Sequence, residues 1–450
     1  MGGGAVLLMM LALLGCQGRE PYVEAENEWI EDISVEVVSE MPTAMRVRFQ
    51  STIAGEGFVE FGENWSMSTP IGSQGTTHEA IVLGVGPLQQ VDLRAVVVVD
   101  GVRHESGVME AETGQLPIAV PLLDVTVNNY PAAASTTLLM SMYDNDRDDT
   151  VVMSNLEGDV FWAAVQAEGD GFGLAVQVVD GGMWFNRFQT GKKGSIDGEV
   201  VHIDQWGAVV ETVQTPDAHH YFVHEDGNTF WLRSDVASVN GFGQVIYDEI
   251  MVTDSKGQSS SLLNLLDVLD VQDSEFKQDV YDWSHANWLG YTAQRDSMLL
   301  CAGFINTILE VNQDGEVLDI FGGLNAINGE YSFDPPESAF DIPHGVHWAS
   351  NGDLLMFAAD EQTRSVQALR FAVDTENRVL RKVWSYGASL NREPLLLGEV
   401  KELPDGNLFI NWGSWGHLQI VSPEGELLWE AYTEFLVVPG QVHILDSPYL

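Results

Sequence analysis

Asp405-Gly406-Asn407-Leu408-Phe409-Ile410 is a turn dipeptide followed at once by an apolar strand. The same text returns at Asp226-Gly227-Asn228-Thr229-Phe230-Trp231-Leu232 and at Asn351-Gly352-Asp353-Leu354-Leu355-Met356-Phe357. Asp-Gly and Asn-Gly supply the positive φ angles that tight hairpins need. A second class of turn lies between these, at Leu156-Glu157-Gly158-Asp159-Val160, Gln313-Asp314-Gly315-Glu316-Val317 and Pro423-Glu424-Gly425-Glu426-Leu427. The spacing is roughly 50–65 residues, near the span of one four-stranded blade. Helical periodicity is scarce, and Leu262-Leu263-Asn264-Leu265-Leu266 is its clearest instance. Residues 118–450 therefore read as an all-β propeller of roughly six blades, with a large irregular sandwich as the alternative.

Upstream, the texture is different. Ile33–Val38, Met45–Phe49, Gly57–Gly62, Ala80–Leu83 and Val91–Val99 alternate apolar and polar residues, and a further strand lies near Val108. Period-2 patterning in short runs separated by turn residues predicts an antiparallel β-sandwich over residues 29–117. Phe58-Val59-Glu60-Phe61-Gly62 followed by Gly84-Val85-Gly86-Pro87-Leu88 resembles a fibronectin III-like domain, a spacer or docking module. Residues 1–16 form an apolar run too short to span a bilayer. It ends in Leu13-Leu14-Gly15-Cys16, which resembles a bacterial lipobox with Cys16 as the lipidated residue. An ordinary cleaved signal peptide is the other reading, and the segment before the apolar run has no Lys or Arg. Residues 17–28 read as a polar tether. These features predict an exported lipoprotein anchored to the outer membrane, on its periplasmic face or the cell surface.

The chain of 450 residues has 20 Lys+Arg against 67 Asp+Glu, a formal charge of −47. Such a surface repels nucleic acid and anionic lipid, which excludes both as partners apart from a lipid anchor. An anionic substrate then needs a locally positive pocket. The acidic run Asp144–Asp149 invites a calcium-loop reading, but it lacks the Gly at its sixth position and has Asn155 where a bidentate Glu belongs. A solvated hairpin turn fits it better.

Histidines recur ahead of the hairpins. His219 and His220 precede Asp226-Gly227, His285 lies in Asp282-Trp283-Ser284-His285-Ala286-Asn287, and His344 precedes Asn351-Gly352. Each sits shortly before the first strand of a candidate blade. First strands line a propeller's central channel, so these rings are expected at one channel mouth. There they can act as acid, base or nucleophile, oriented by Asp282 and Asp217. Three histidines also admit a metal.

From about residue 150 to 435 the chain resembles the bacterial arylsulfotransferase family. The resemblance rests on His219-His220 before Asp-Gly-Asn, Asp282–Asn287, Ile320-Phe321-Gly322-Gly323, Pro343-His344, Val383-Trp384-Ser385-Tyr386 and Leu403–Gly413. It implies a six-bladed propeller behind a β-sandwich. It also implies transfer of a sulfuryl group from a phenyl sulfate ester to a phenol, without the nucleotide donor PAPS, any cofactor or any metal. By that resemblance His344 is the nucleophile, and His285, His219 and His220 are hydrogen-bond or proton donors. Asn287 and Trp283, with Trp288 and Trp348, are expected to contact substrate. The family carries an arginine in the strand after Asn287, and here that position falls at Gly303. Losing a guanidinium removes a strong anion clamp. Two other readings follow: a binding or scaffold propeller that has lost the chemistry, and a histidine-metal hydrolase.

Overall fold

A computed structural model describes residues 29–131, 136–144, 148–167, 171–189, 198–272, 281–360, 365–393 and 397–450. The apolar run, the lipobox with Cys16 and the tether lie outside these residues, as does the middle of the acidic run.

The described chain is all-β, and residues 123–445 close into a six-bladed propeller. The turns that suggested blades sit at the predicted hairpin tips, with Asp226, Gly227, Gly315, Gly352, Gly406 and Gly425 all at positive φ. The middle strands read as unbroken apolar runs because neighbouring blades cover both faces. Ser297–Ala302 and Leu354–Asp360 are buried at every position. The first strands are Val176–Val179, Ala218–Glu225, Ala286–Thr292, Phe340–Trp348 and Glu399–Glu402. Together with Val437–Leu445 they touch one another in succession around the axis. The expected helical segment is mostly strand: Ser259–Asn264 is extended, and one turn, Leu265–Val268, follows with Asn264 as its cap.

The ring closes twice. Val437–Leu445 pairs with Thr137–Asp144 and so becomes the innermost strand of the first blade. Leu123–Asn128 pairs with Leu427–Thr433 and becomes a fifth, outer strand of the last. Both ends of the domain are thereby locked into sheets they did not start.

Residues 30–112 form seven strands in one hydrogen-bonded sheet. The segments expected as two strands are a single 17-residue strand, Met45–Phe61. It pairs with Ile30–Val37 and Gln74–Val82 through its first half and with Gln90–Val99 through its second. The register breaks between Gln50 and Gly55, and a Cβ at Gly55 would meet Val97 Cγ1 at 2.5 Å. The strands enclose a core of Met45, Val47, Phe49, Val59, Phe61, Leu93 and Val97. Val38, Met41, Ala44 and Leu83 instead join the first and second blades in a shared core with Leu139, Phe161, Trp162 and Phe185.

Asp149, at the end of the acidic run, faces inward. It accepts from Asp144 N at 3.0 Å and Gly173 N at 2.6 Å, and burial pushes its carboxyl up to about 7. It ties the hairpin's own backbone, at Asp144, to the segment that leads into the second blade, at Gly173.

Candidate active site

Five residues at one end of the channel share an unusual backbone. His220 (φ 60), His285 (φ 42), Ile342 (φ 49), Leu397 (φ 64) and Leu436 (φ 70) are all left-handed. They come from five successive blades, and all five line one cavity of about 810 Å³. Three of the inner strands lose register at or beside these residues, between His219 and Phe222, Ala286 and Trp288, and Asp341 and His344. A bulge with a left-handed residue bends the strand and re-aims a side chain. For non-glycine residues this costs about 1–3 kcal/mol each and persists where the surroundings enforce it. Ile342, β-branched, is the most strained of the five.

His220, His285, His344 and Asn287 bring polar groups to the cavity, while Tyr143, Phe304, Trp415 and Phe435 supply aromatic walls. Phe435 is 90 % exposed and forms the lip. His219, His220 and His344 lie within the first strands rather than ahead of them, and only His285 precedes its strand. Blade for blade, Ile342 stands where His220 and His285 stand, and His344 is two residues further in.

His344 is fixed at one nitrogen only. Its Nδ1 lies 2.8 Å from Gly398 O, and a carbonyl only accepts, so Nδ1 carries the proton. Its Nε2 is buried and has no hydrogen-bond partner among the described residues. Burial lowers the ring's pKa to about 4, against the smaller opposing pull of the Gly398 carbonyl and Glu399. The ring is a neutral imidazole with a bare Nε2 lone pair. Glycines permit this contact: a Cβ at Gly345 would meet Gly398 O at 2.2 Å, and one at Gly398 would meet the Phe357 ring at 2.4 Å.

His285 differs. Its Nδ1 meets Asp282 Oδ2 at 3.0 Å, and its ring stacks on Phe304 at 4.1 Å. Burial works to lower its pKa, but the hydrogen bond and charge of Asp282, with Asp248 beyond, raise it overall. It is the ring of the cavity biased toward the cation. The His220 ring lies 5.4 Å from that of His285. Burial first, then the neighbouring rings of His219, His285 and His344, hold His220 well below the ordinary imidazole range.

Several expectations need correction. His219 does not line the cavity; it lies behind His220 with Nε2 on Asp248 Oδ1 at 2.9 Å. Its orienting acid is therefore Asp248, not Asp217. Trp283 is fully buried in the core, its backbone N–H bound to Ile246 O at 3.0 Å, and does not reach the cavity. Trp288 is also buried, donating to Val346 O at 3.0 Å beneath His344. Trp348 stacks under Arg295 at 4.1 Å, away from the site. Arg295 itself is held on Glu310 by two bonds of 2.6 and 2.9 Å. No Lys or Arg is among the described residues lining the cavity, whereas Glu434 is. Among the described residues no three His, Cys, Asp or Glu side chains are grouped to hold a metal ion.

Sequence reading missed Asp248, although two acids inside the apolar strand Gly243–Thr253 are a signal of a buried, paired carboxylate. It also missed the walls Phe304, Trp415 and Phe435, which come from turns without a motif.

A family model described as Arylsulfotransferase (ASST) matches residues 124–427. No curated protein matches the chain. Among solved structures, a Bacteroides caccae protein of unknown function is 12% identical, with a TM-score of 0.40 over 69% of this chain and 99% of its own. TolB from Acinetobacter baumannii is 9% identical, with a TM-score of 0.42 over 81% of this chain and 80% of its own. Virginiamycin B lyase from Staphylococcus aureus is 13% identical, with a TM-score of 0.31 over 58% of this chain and 70% of its own.

Proposed function

The chain belongs to the arylsulfotransferase family, and from that premise we propose that it moves a sulfuryl group from a phenolic sulfate ester to a phenol through a sulfated His344. One observation carries the reading: His344 Nε2 is buried and unpartnered while its Nδ1 is tied to Gly398 O. That is a nucleophile with one nitrogen's lone pair uncommitted and its other nitrogen occupied. In the first half-reaction His344 Nε2 bonds to sulfur as the ester S–O bond breaks, and the donor leaves as a phenolate that takes a proton. In the second, the acceptor phenol loses its proton, its oxygen attacks sulfur and the N–S bond breaks. His285, biased to the cation by Asp282, and the Asn287 amide face the same cavity and suit the equatorial sulfuryl oxygens. Tyr143, Phe304, Trp415 and Phe435 suit an aryl ring.

The test is transfer from 4-nitrophenyl sulfate to phenol. His344→Ala is expected to abolish it, leaving less than a thousandth of the wild-type rate, and the wild type is expected to yield an acid-labile sulfated histidine after donor alone. Unchanged turnover in His344→Ala would sink the reading. A binding propeller without turnover is the second reading. The absence of Lys and Arg from the described cavity lining and the presence of Glu434 favour it. Tight aryl-ligand binding with no turnover by the wild type would establish it. We further read residues 29–117 as a fibronectin III-like spacer and Cys16 as a lipid attachment site. Radiolabelled palmitate incorporation lost in Cys16→Ser checks the latter.

A further inference from the structure

Behind His220 runs a chain of polar atoms that the transfer scheme leaves unused. His220 Nδ1 meets His219 Nδ1 at 2.5 Å, and His219 Nε2 meets Asp248 Oδ1 at 2.9 Å. Asp248 is fully buried and also accepts from Ser234 Oγ, Ser284 Oγ and Ala286 N, each at 2.6 Å. A carboxylate with four donors stays ionised, so His219 Nε2 carries a proton. Two imidazole nitrogens this close hold one proton between them, since two lone pairs or two N–H groups would repel. If that proton belongs to His220, both rings are neutral and His220 Nε2 is a lone pair. If it belongs to His219, that ring is an imidazolium beside Asp248, and His220 is neutral with its proton on Nε2.

We propose that Asp248, His219 and His220 are a proton relay that takes the phenolic proton at one half-reaction and returns it at the other. This rests on the transfer reading above. In the loaded state His220 Nε2–H gives its proton to the departing phenolate, and the proton on His219 Nδ1 passes to His220 Nδ1. Both rings are then neutral. The acceptor phenol next gives its O–H proton to His220 Nε2, and His220 Nδ1–H returns to His219. One proton leaves and one enters, so no other acid or base is needed. The stored positive charge sits on His219 against a buried carboxylate, outside the cavity. His220 is the catalytic residue, and His219 and Asp248 are positioning residues that touch no ligand.

The experiment compares phenyl sulfate with 4-nitrophenyl sulfate as donors. Phenolate is much the more basic leaving group and depends more on a proton. His219→Gln is expected to slow transfer from phenyl sulfate at least tenfold more than transfer from 4-nitrophenyl sulfate. Equal slowing of both overturns the relay, because a structural role would not distinguish leaving groups. Asp248→Asn should give the same split, and His219→Gln stands if the loss of Asp248's four contacts prevents folding. Nitrogen-15 histidine spectra of the unliganded wild type give an independent reading. A protonated His219 Nε2 and a single proton shared by the two Nδ1 atoms are expected, and two unprotonated Nδ1 atoms overturn the relay. Absence of transfer by the wild type with either donor overturns the transfer reading itself, and the spectra still decide the shared proton.

Discussion

At the scale of single residues, the sharpest departure from the family is Gly303, and its surroundings explain it. A Cβ there would meet Asn287 Nδ2 at 2.4 Å and Cγ at 3.2 Å. The Asn287 amide fills the space that a longer side chain would take, and Gly303 N donates to His285 O at 3.1 Å. Restoring the missing guanidinium with Gly303→Arg is therefore expected to cost about 1–3 kcal/mol through overpacking and to leave transfer no faster. Adding Asn287→Ala should recover most of the stability. Chemical denaturation checks this, and a Gly303→Arg protein as stable as wild type and faster would refute it. The histidines were visible in the sequence, but the choice between His219 and His220 was not. Adjacent residues on a strand point to opposite faces, and the left-handed backbone of His220, which selects the ring that faces the cavity, has no sequence signature for a non-glycine residue.

At the scale of elements, the inner strands carry both the site and the closure of the ring. Glu399 opens the last blade's first strand, 1 % exposed, and its Oε1 accepts from Val442 N at 2.7 Å on the closing strand. Lys401 pairs with Glu399 Oε2 at 2.9 Å and reaches the Val442 carbonyl, and His347 lies 3.4 Å from the same carboxylate. Despite burial, the charges and hydrogen bonds of Lys401 and His347 hold Glu399 down at about 2. Glu399→Ala leaves the Lys401 cation without its partner and frees the Val442 amide. It should destabilise the fold by about 3–5 kcal/mol and make residues 437–450 the first site of proteolysis. Lys401→Met together with Glu399→Ala should recover part of the loss. Equal stability of Glu399→Ala and wild type would show that the closing strand does not depend on this clasp. Turn dipeptides made the blades legible, because each hairpin tip needs positive φ. The double closure was not legible, because Leu123–Asn128 and Val437–Leu445 find partners about 300 residues away and nothing local records that pairing.

For the whole molecule, the buried neutral histidines and the charge of −47 act in opposite directions on acidification, and the pH window separates them. Burial lowers His344 and His417 to about 4 and His443 to about 3, and holds His220 well down. In the unfolded chain each binds a proton near the ordinary value of about 6.5. Between those limits the unfolded state holds more protons, so stability falls as pH drops from about 6.5 to 4. For His344 alone this is on the order of 3 kcal/mol. Asp149, raised to about 7, works the other way, since its folded state binds the extra proton over the same window. Burial raises Glu225 in the same direction, and these two carboxyls set against several rings leave a net loss. Relief of carboxylate repulsion favours the folded state, but that repulsion is screened by salt. The protonation of these buried rings is not screened in this way. Urea denaturation at pH 7, 6, 5 and 4.5 in high salt should therefore show stability falling by several kcal/mol, with a shallower slope in His344→Gln. A flat or rising profile would mean that these buried histidines reach water without unfolding.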